Sequence, residues 1–96
     1  MYVNIDQVKD FVVSKRETLQ LEVKKRKGTT MFLEISPRDL PKQQTDILYP
    51  REEFGTIWVW DIDNSGRCLG DYMYRVFEKK EEFTEHTLIG GFTLIV

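Results

Sequence analysis

The chain has 96 residues, of which 41% are hydrophobic, 12% aromatic and 31% charged, and its net charge is −2. That balance fits a single globular domain over residues 1–96 and argues against a disordered chain or a dedicated duplex-DNA binder, which would carry a basic field. The lone Cys68 excludes an internal disulfide. No stretch reaches the ~18 consecutive apolar residues of a membrane helix, and "MYVNIDQVKD" lacks a secretory apolar core, so no membrane partner is expected and a cytoplasmic location is the default.

The first segment has helical spacing. Ile5, Val8, Phe11 and Val12 recur on one side, with Asp6, Gln7, Lys9 and Asp10 on the other. Asn4 with Gln7 makes a capping-box-like pair, and Val3 can staple onto Val8. Lys15 and Arg16 suit the C-terminal end of the dipole, so a helix is predicted over residues 4–16.

The period then changes to two. "TLQLEVKKRK" places Leu19, Leu21 and Val23 on one face, and "TTMFLEIS" repeats this with Met31, Leu33 and Ile35. Gly28 between them can supply a positive φ, which predicts a β-hairpin. All three prolines fall in the next stretch, "SPRDLPKQQTDILYPREEFG", which reads as a connecting segment. Ser36 and Pro37 suit the start of one helical turn there, and Pro41 curtails it.

"GTIWVWDI" is apolar on both faces, with Trp58, Trp60 and Ile62 on one and Ile57 and Val59 on the other, as in a central strand. "RCLGDYMYRVFE" is expected to pair with it, setting Trp58 opposite Tyr72, Trp60 opposite Gly70 and Ile62 opposite Cys68. "EKKEEFTEHT" reads as a charged connection, and "FTLIV" as the last strand. "IGGF", Ile89 to Phe92, is too short for a phosphate loop and reads as a bend or bulge entering that strand.

The "DIDNSG" stretch resembles the start of a calcium loop. An EF-hand needs a bidentate carboxylate at its twelfth position, and counting from Asp61 that place holds Tyr72. The stretch is a turn instead, with Gly66 as its left-handed residue and Asp63 bonding local amides or pairing with Arg67. No metal and no cofactor site is predicted, since nucleotide signatures and zinc spacings are both lacking.

Candidate sites are few. Cys68 with His86 is a nominal nucleophile–base pair, but nothing in their spacing brings them together. Cys68 reads as a small apolar filler in a strand and His86 as a loop residue. Asp61 interrupts an apolar strand. A buried carboxylate there would titrate high, but the strand's emergence near its turn is the simpler reading.

Two surface features remain. The run Lys24, Lys25, Arg26 and Lys27 can contact phosphate or protect a hairpin tip. Trp58, Trp60, Tyr72 and Tyr74 can anchor a protein partner, stack on bases, or fill the core.

The expected fold is α+β: an N-terminal helix packed on a mostly antiparallel sheet of about five strands. One helix covers one side of a sheet, so the second apolar side of the Trp58–Trp60 strand needs another cover: the proline-rich segment, another protomer or a partner. The leading function is a non-catalytic, stoichiometric protein-binding module of the inhibitor, adaptor or immunity type, contacting its partner (or a second copy) through Trp58, Trp60, Tyr72 and Tyr74. The alternatives are a single-stranded nucleic-acid or nucleotide binder using Lys24 to Lys27, which is not favoured, and a small enzyme using Asp61, Cys68 or His86.

Overall fold

The period-two signal extends further along the chain than the sequence suggests. The computed structural model describes residues 1–26, 28–39 and 45–96, with His86 described through its backbone. Its strands are β1 (Tyr2–Asn4), β2 (Asp10–Ser14), β3 (Leu19–Lys24), β4 (Thr30–Pro37), β5 (Asp46–Leu48), β6 (Arg51–Glu53), β7 (Ile57–Ile62), β8 (Gly70–Lys80) and β9 (Phe83–Ile95). They form a four-stranded sheet in the order β1-β3-β7-β6 and a five-stranded sheet in the order β2-β9-β8-β4-β5. Both sheets are mixed, because β1 runs parallel to β3 and β2 parallel to β9.

The two sheets bury their inner faces against each other. Leu19, Leu21, Val23, Trp60 and Ile62 come from the first sheet, and Leu33, Ile35, Tyr74, Val76 and Leu94 from the second. Each such side chain contributes about 1.5–3 kcal/mol by leaving water, set against about 1–2 kcal/mol of backbone entropy per ordered residue.

These findings correct the α+β expectation. Among the described residues there is no helix. Asn4 does organise a turn: its Oδ1 accepts the Asp6 amide at 3.0 Å, and its carbonyl accepts the Gln7 and Val8 amides at 3.1 and 2.9 Å. The turn does not continue into a helix, because Phe11 and Val13 pair with Phe92 and Leu94 of β9. Val8 and Val12, which a helix would bury, are 48% and 53% exposed. The buried set is instead Val3, Ile5 and Val13. A single segment therefore serves both sheets, β1 closing the edge of one and β2 the edge of the other.

The single-sheet expectation fails in the same way. β3 and β4 have the predicted alternation, but β3 pairs with β7 and β4 with β8. The segment between them crosses from one sheet to the other, a gap of about 10 Å. β7 is central in its sheet, as its composition implies, yet its neighbours are β3 and β6, so the predicted Trp58–Tyr72 register does not occur. Pro37 ends β4 rather than starting a helical turn, and Pro41, expected to curtail that turn, lies outside the described residues. "EKKEEFTEHT" is the top of a two-stranded ribbon in which Lys80 faces Phe83. A one-residue slip falls within that ribbon, where Val76 faces Leu88 and Phe77 faces His86.

Candidate functional site

The strand registers bring the β3–β4 crossing, the β6–β7 turn and the β8–β9 turn to one end of the sandwich. The Lys25 amide donates to the Thr56 carbonyl at 2.9 Å, tying the crossing to the β6–β7 turn. A depression of about 560 Å³, lined by Lys25, Thr29, Trp58, Lys79 and Glu81 among others, joins the crossing to the β8–β9 turn.

This end carries unusual backbone. In the Glu53–Thr56 turn, closed by the Thr56 amide on the Glu53 carbonyl at 3.1 Å, Phe54 has φ 55° and Gly55 has φ 67°. Left-handed φ at both central residues is the type I′ arrangement, whose first position ordinarily takes Asn, Asp or Gly. Phe54 is 89% exposed. Glu81 in the β8–β9 turn also has positive φ, and Phe83 beside it is 57% exposed. The sequence reading missed Phe54. The available signal was an apolar residue in "REEFGT" with no apolar companion at spacing two, followed by glycine.

The cations here are largely engaged. Lys25 Nζ lies 2.7 Å from Glu52 Oε2 and 5.0 Å from the centre of the Trp58 ring. Arg26 reaches Glu78 at 3.4 Å. Glu78 is 3% exposed and its Oε1 has no partner among the described residues, where Arg26 is the counter-charge of this buried carboxylate and pins the crossing over the core. Lys24 is exposed and Lys27 lies outside the described residues.

The aromatic set does not form one open face. Trp60, Tyr72 and Tyr74 belong to the core, at 1%, 6% and 0% exposure. Trp60 donates from Nε1 to the Leu48 carbonyl at 3.0 Å, and Tyr74 donates to the Lys9 carbonyl at 2.8 Å. Burial pushes the Tyr74 hydroxyl well above the usual tyrosine range. Gly90 makes room for that contact, since a Cβ there would fall 2.3 Å from both Tyr74 Oη and the Lys9 carbonyl oxygen. Trp58 alone is half-buried, lining the depression, and its Nε1 is buried without a partner among the described residues.

Nor do the nominal catalytic residues converge. Asp61 lies on the outer face of the four-stranded sheet, hydrogen-bonded by Arg51 Nε at 2.6 Å and Gln20 Nε2 at 2.8 Å. Those two bonds, Arg51 first, hold its carboxyl below the usual range. Cys68 is exposed in the β7–β8 loop at the opposite end, correcting its expected place inside a strand. The side chain of His86 lies outside the described residues. In that same loop Asp63 accepts the Ser65 amide at 2.9 Å, while Arg67 turns instead to Asn64 at 3.0 Å and Asp46 at 2.6 Å. "DNSG" is therefore a turn, but one that carries the chain between sheets. Among the described residues, no helix is long and apolar enough to cross a membrane.

No family model matches the chain, and no curated protein matches it in sequence. Among solved structures, the crystal structure of a cysteine protease inhibitor from Entamoeba histolytica matches with a TM-score of 0.62. The match covers 98% of this chain and 91% of that one, at 9% identity. What the two share is the fold.

Proposed function

We propose that this chain is a stoichiometric protein inhibitor that engages its target through the turns clustered at one end, and that the target is a cysteine protease. The observation that carries the reading is Phe54, 89% exposed at φ 55°. A non-glycine residue in the left-handed region costs about 1–2 kcal/mol, and an aromatic ring left in water recovers none of it. Backbone strain of this kind collects where a residue acts on something outside its own chain.

The surroundings support a docking role. Hydrogen-bonded strands hold the turns from below, so little conformational freedom is lost on association. Phe54 and Phe83 are exposed apolar anchors, and Lys25, Glu52 and Glu81 supply a polar rim of the kind seen around binding hot spots. The target class rests on the inhibitor with the similar fold. Non-catalytic action is supported by the inhibitor with the similar fold and by the engagement of Asp61 with Arg51 and Gln20.

The test is an inhibition titration against a panel of cysteine proteases, with serine proteases as controls. A one-to-one endpoint is expected for at least one cysteine protease. Phe54→Ala should weaken inhibition at least about tenfold, about 1.4 kcal/mol, while leaving the melting temperature unchanged. Phe54→Gly should lose inhibition while gaining about 0.5–1 kcal/mol of stability by relieving the left-handed strain. Inhibition indifferent to Phe54, or none across the panel, overturns the reading.

A further inference from the structure

The outer face of the five-stranded sheet carries exposed apolar residues and an unused ion pair. Phe32 and Phe77 stack with ring centres 5.0 Å apart, and Tyr49 packs on Phe32 at 6.2 Å. One level along, the register sets four residues in a row across the sheet: Ile47 beside Glu34, Glu34 beside Arg75, Arg75 beside Ile89. Ile47 and Ile89 are 52% and 47% exposed. Among the described residues, neither Glu34 nor Arg75 has a side-chain hydrogen bond or ion pair, although they are direct cross-strand neighbours.

We propose that this face is a homodimer interface, in which each Arg75 pairs with Glu34 of a second copy. The order Ile47, Glu34, Arg75, Ile89 is symmetric in hydropathy and antisymmetric in charge. A two-fold axis parallel to the strands, running between β4 and β8, turns that row onto itself. It brings acid against base twice, Ile47 of one copy against Ile89 of the other, and the Phe32–Phe77 layer against its own counterpart. An isologous interface demands this kind of self-complementarity. Two sheets packed face to face at about 10 Å interdigitate their facing side chains, so desolvating the phenylalanines and isoleucines supplies the attraction and the charges fix the register. Strands β4, β8 and β9 at about 4.8 Å, over the eight register positions shared by β4 and β8, with three residues of β5 and two of β2 beside them, give roughly 470 Å² per copy. That is a little over half the ~800 Å² per partner of a standard interface before side-chain relief is counted, so the dimer belongs to the small interfaces in which charge complementarity sets the pairing. The turns that carry Phe54 lie at the end of the sandwich, outside this face, so the proposal stands apart from the inhibitor reading.

Light scattering and sedimentation across a concentration series test it. The wild-type chain should reach twice 11.4 kDa. Arg75→Glu and Glu34→Arg should each weaken dimerisation at least about thirtyfold, and the double exchange should restore it. Ile47→Asp gives a second reading independent of the charge pair and should also yield monomer, with circular dichroism confirming the fold of every variant. A wild-type chain that stays monomeric to about 1 mM overturns the proposal, including one that is monomeric because another protein takes this face. So does a dimer that ignores Arg75→Glu and Ile47→Asp.

Discussion

The two outer faces of the sandwich start from similar alternating strands and end differently. On the four-stranded sheet, Val59 points away from the core and is still fully buried. A polar lattice surrounds it: Tyr2 donates to Glu22 at 2.7 Å, while Arg51 bridges Asp61 and Glu53 and Gln20 joins Asp61 from the other side. The carboxylate of Glu22 pushes the Tyr2 hydroxyl up to about 12. Long side chains with apolar stems can cover an apolar residue and keep their heads in water. On the five-stranded sheet, Ile47, Ile89 and Ile95 remain 45–52% exposed, and among the described residues Glu34 and Arg75, between Ile47 and Ile89, are unpaired. A sheet face with two apolar sides thus has two solutions, cover from within or cover from another molecule, and this chain uses the first on one side only.

That contrast can be broken at its root by removing the shared core. Trp60→Ala should cost about 3–5 kcal/mol, read as a fall in the denaturant midpoint, because the indole fills the space between the sheets and its N–H holds the Leu48 carbonyl. A loss under about 1 kcal/mol would mean that the inner face is misassigned.

A sharper comparison truncates one apolar side chain on each outer face at dilutions where the chain is monomeric. Val59→Ala should cost about 1–2 kcal/mol and Ile89→Ala less than about 0.5 kcal/mol. Equal losses would dissolve the distinction between a covered face and an open one.

The smallest effect is electrostatic. Asp61 has its pKa lowered in the fold, so its contribution is present above the unfolded value of about 3.9 and disappears as pH falls through the folded value. A carboxyl NMR titration should place its midpoint below that of an ordinary aspartate, and Arg51→Met should bring it back up. An unshifted midpoint in the wild type would mean that the lattice does not persist in solution.

Much of the strand content was legible. Leu19, Leu21, Val23, Met31, Leu33 and Ile35 alternate in the sequence and are buried in the structure. Pairing was not legible, because alternation says which way a residue points and not which strand lies beside it. Short segments such as Lys25 to Thr29 suit a hairpin or a crossing equally well. The N-terminal segment misled for a different reason: Asn4 supplies a real cap, and its hydrogen bonds favour a helical turn that long-range pairing with β9 overrides. At the candidate site, aromatic count drew attention to Trp60, Tyr72 and Tyr74, whose rings the core consumes. Phe54 depends on a backbone angle, which composition does not encode.

The pairing of β2 with β9 sets a kinetic condition on the molecule. Asp10 must wait for Gly91, and Ser14 for Ile95, before the larger sheet has its outer strand. Ring closures of that span put the chain among the slow folders, on the order of milliseconds to seconds. During synthesis β2 is made long before β9, so Val12 and Val13 stay without their strand partners until Thr93 and Leu94 follow.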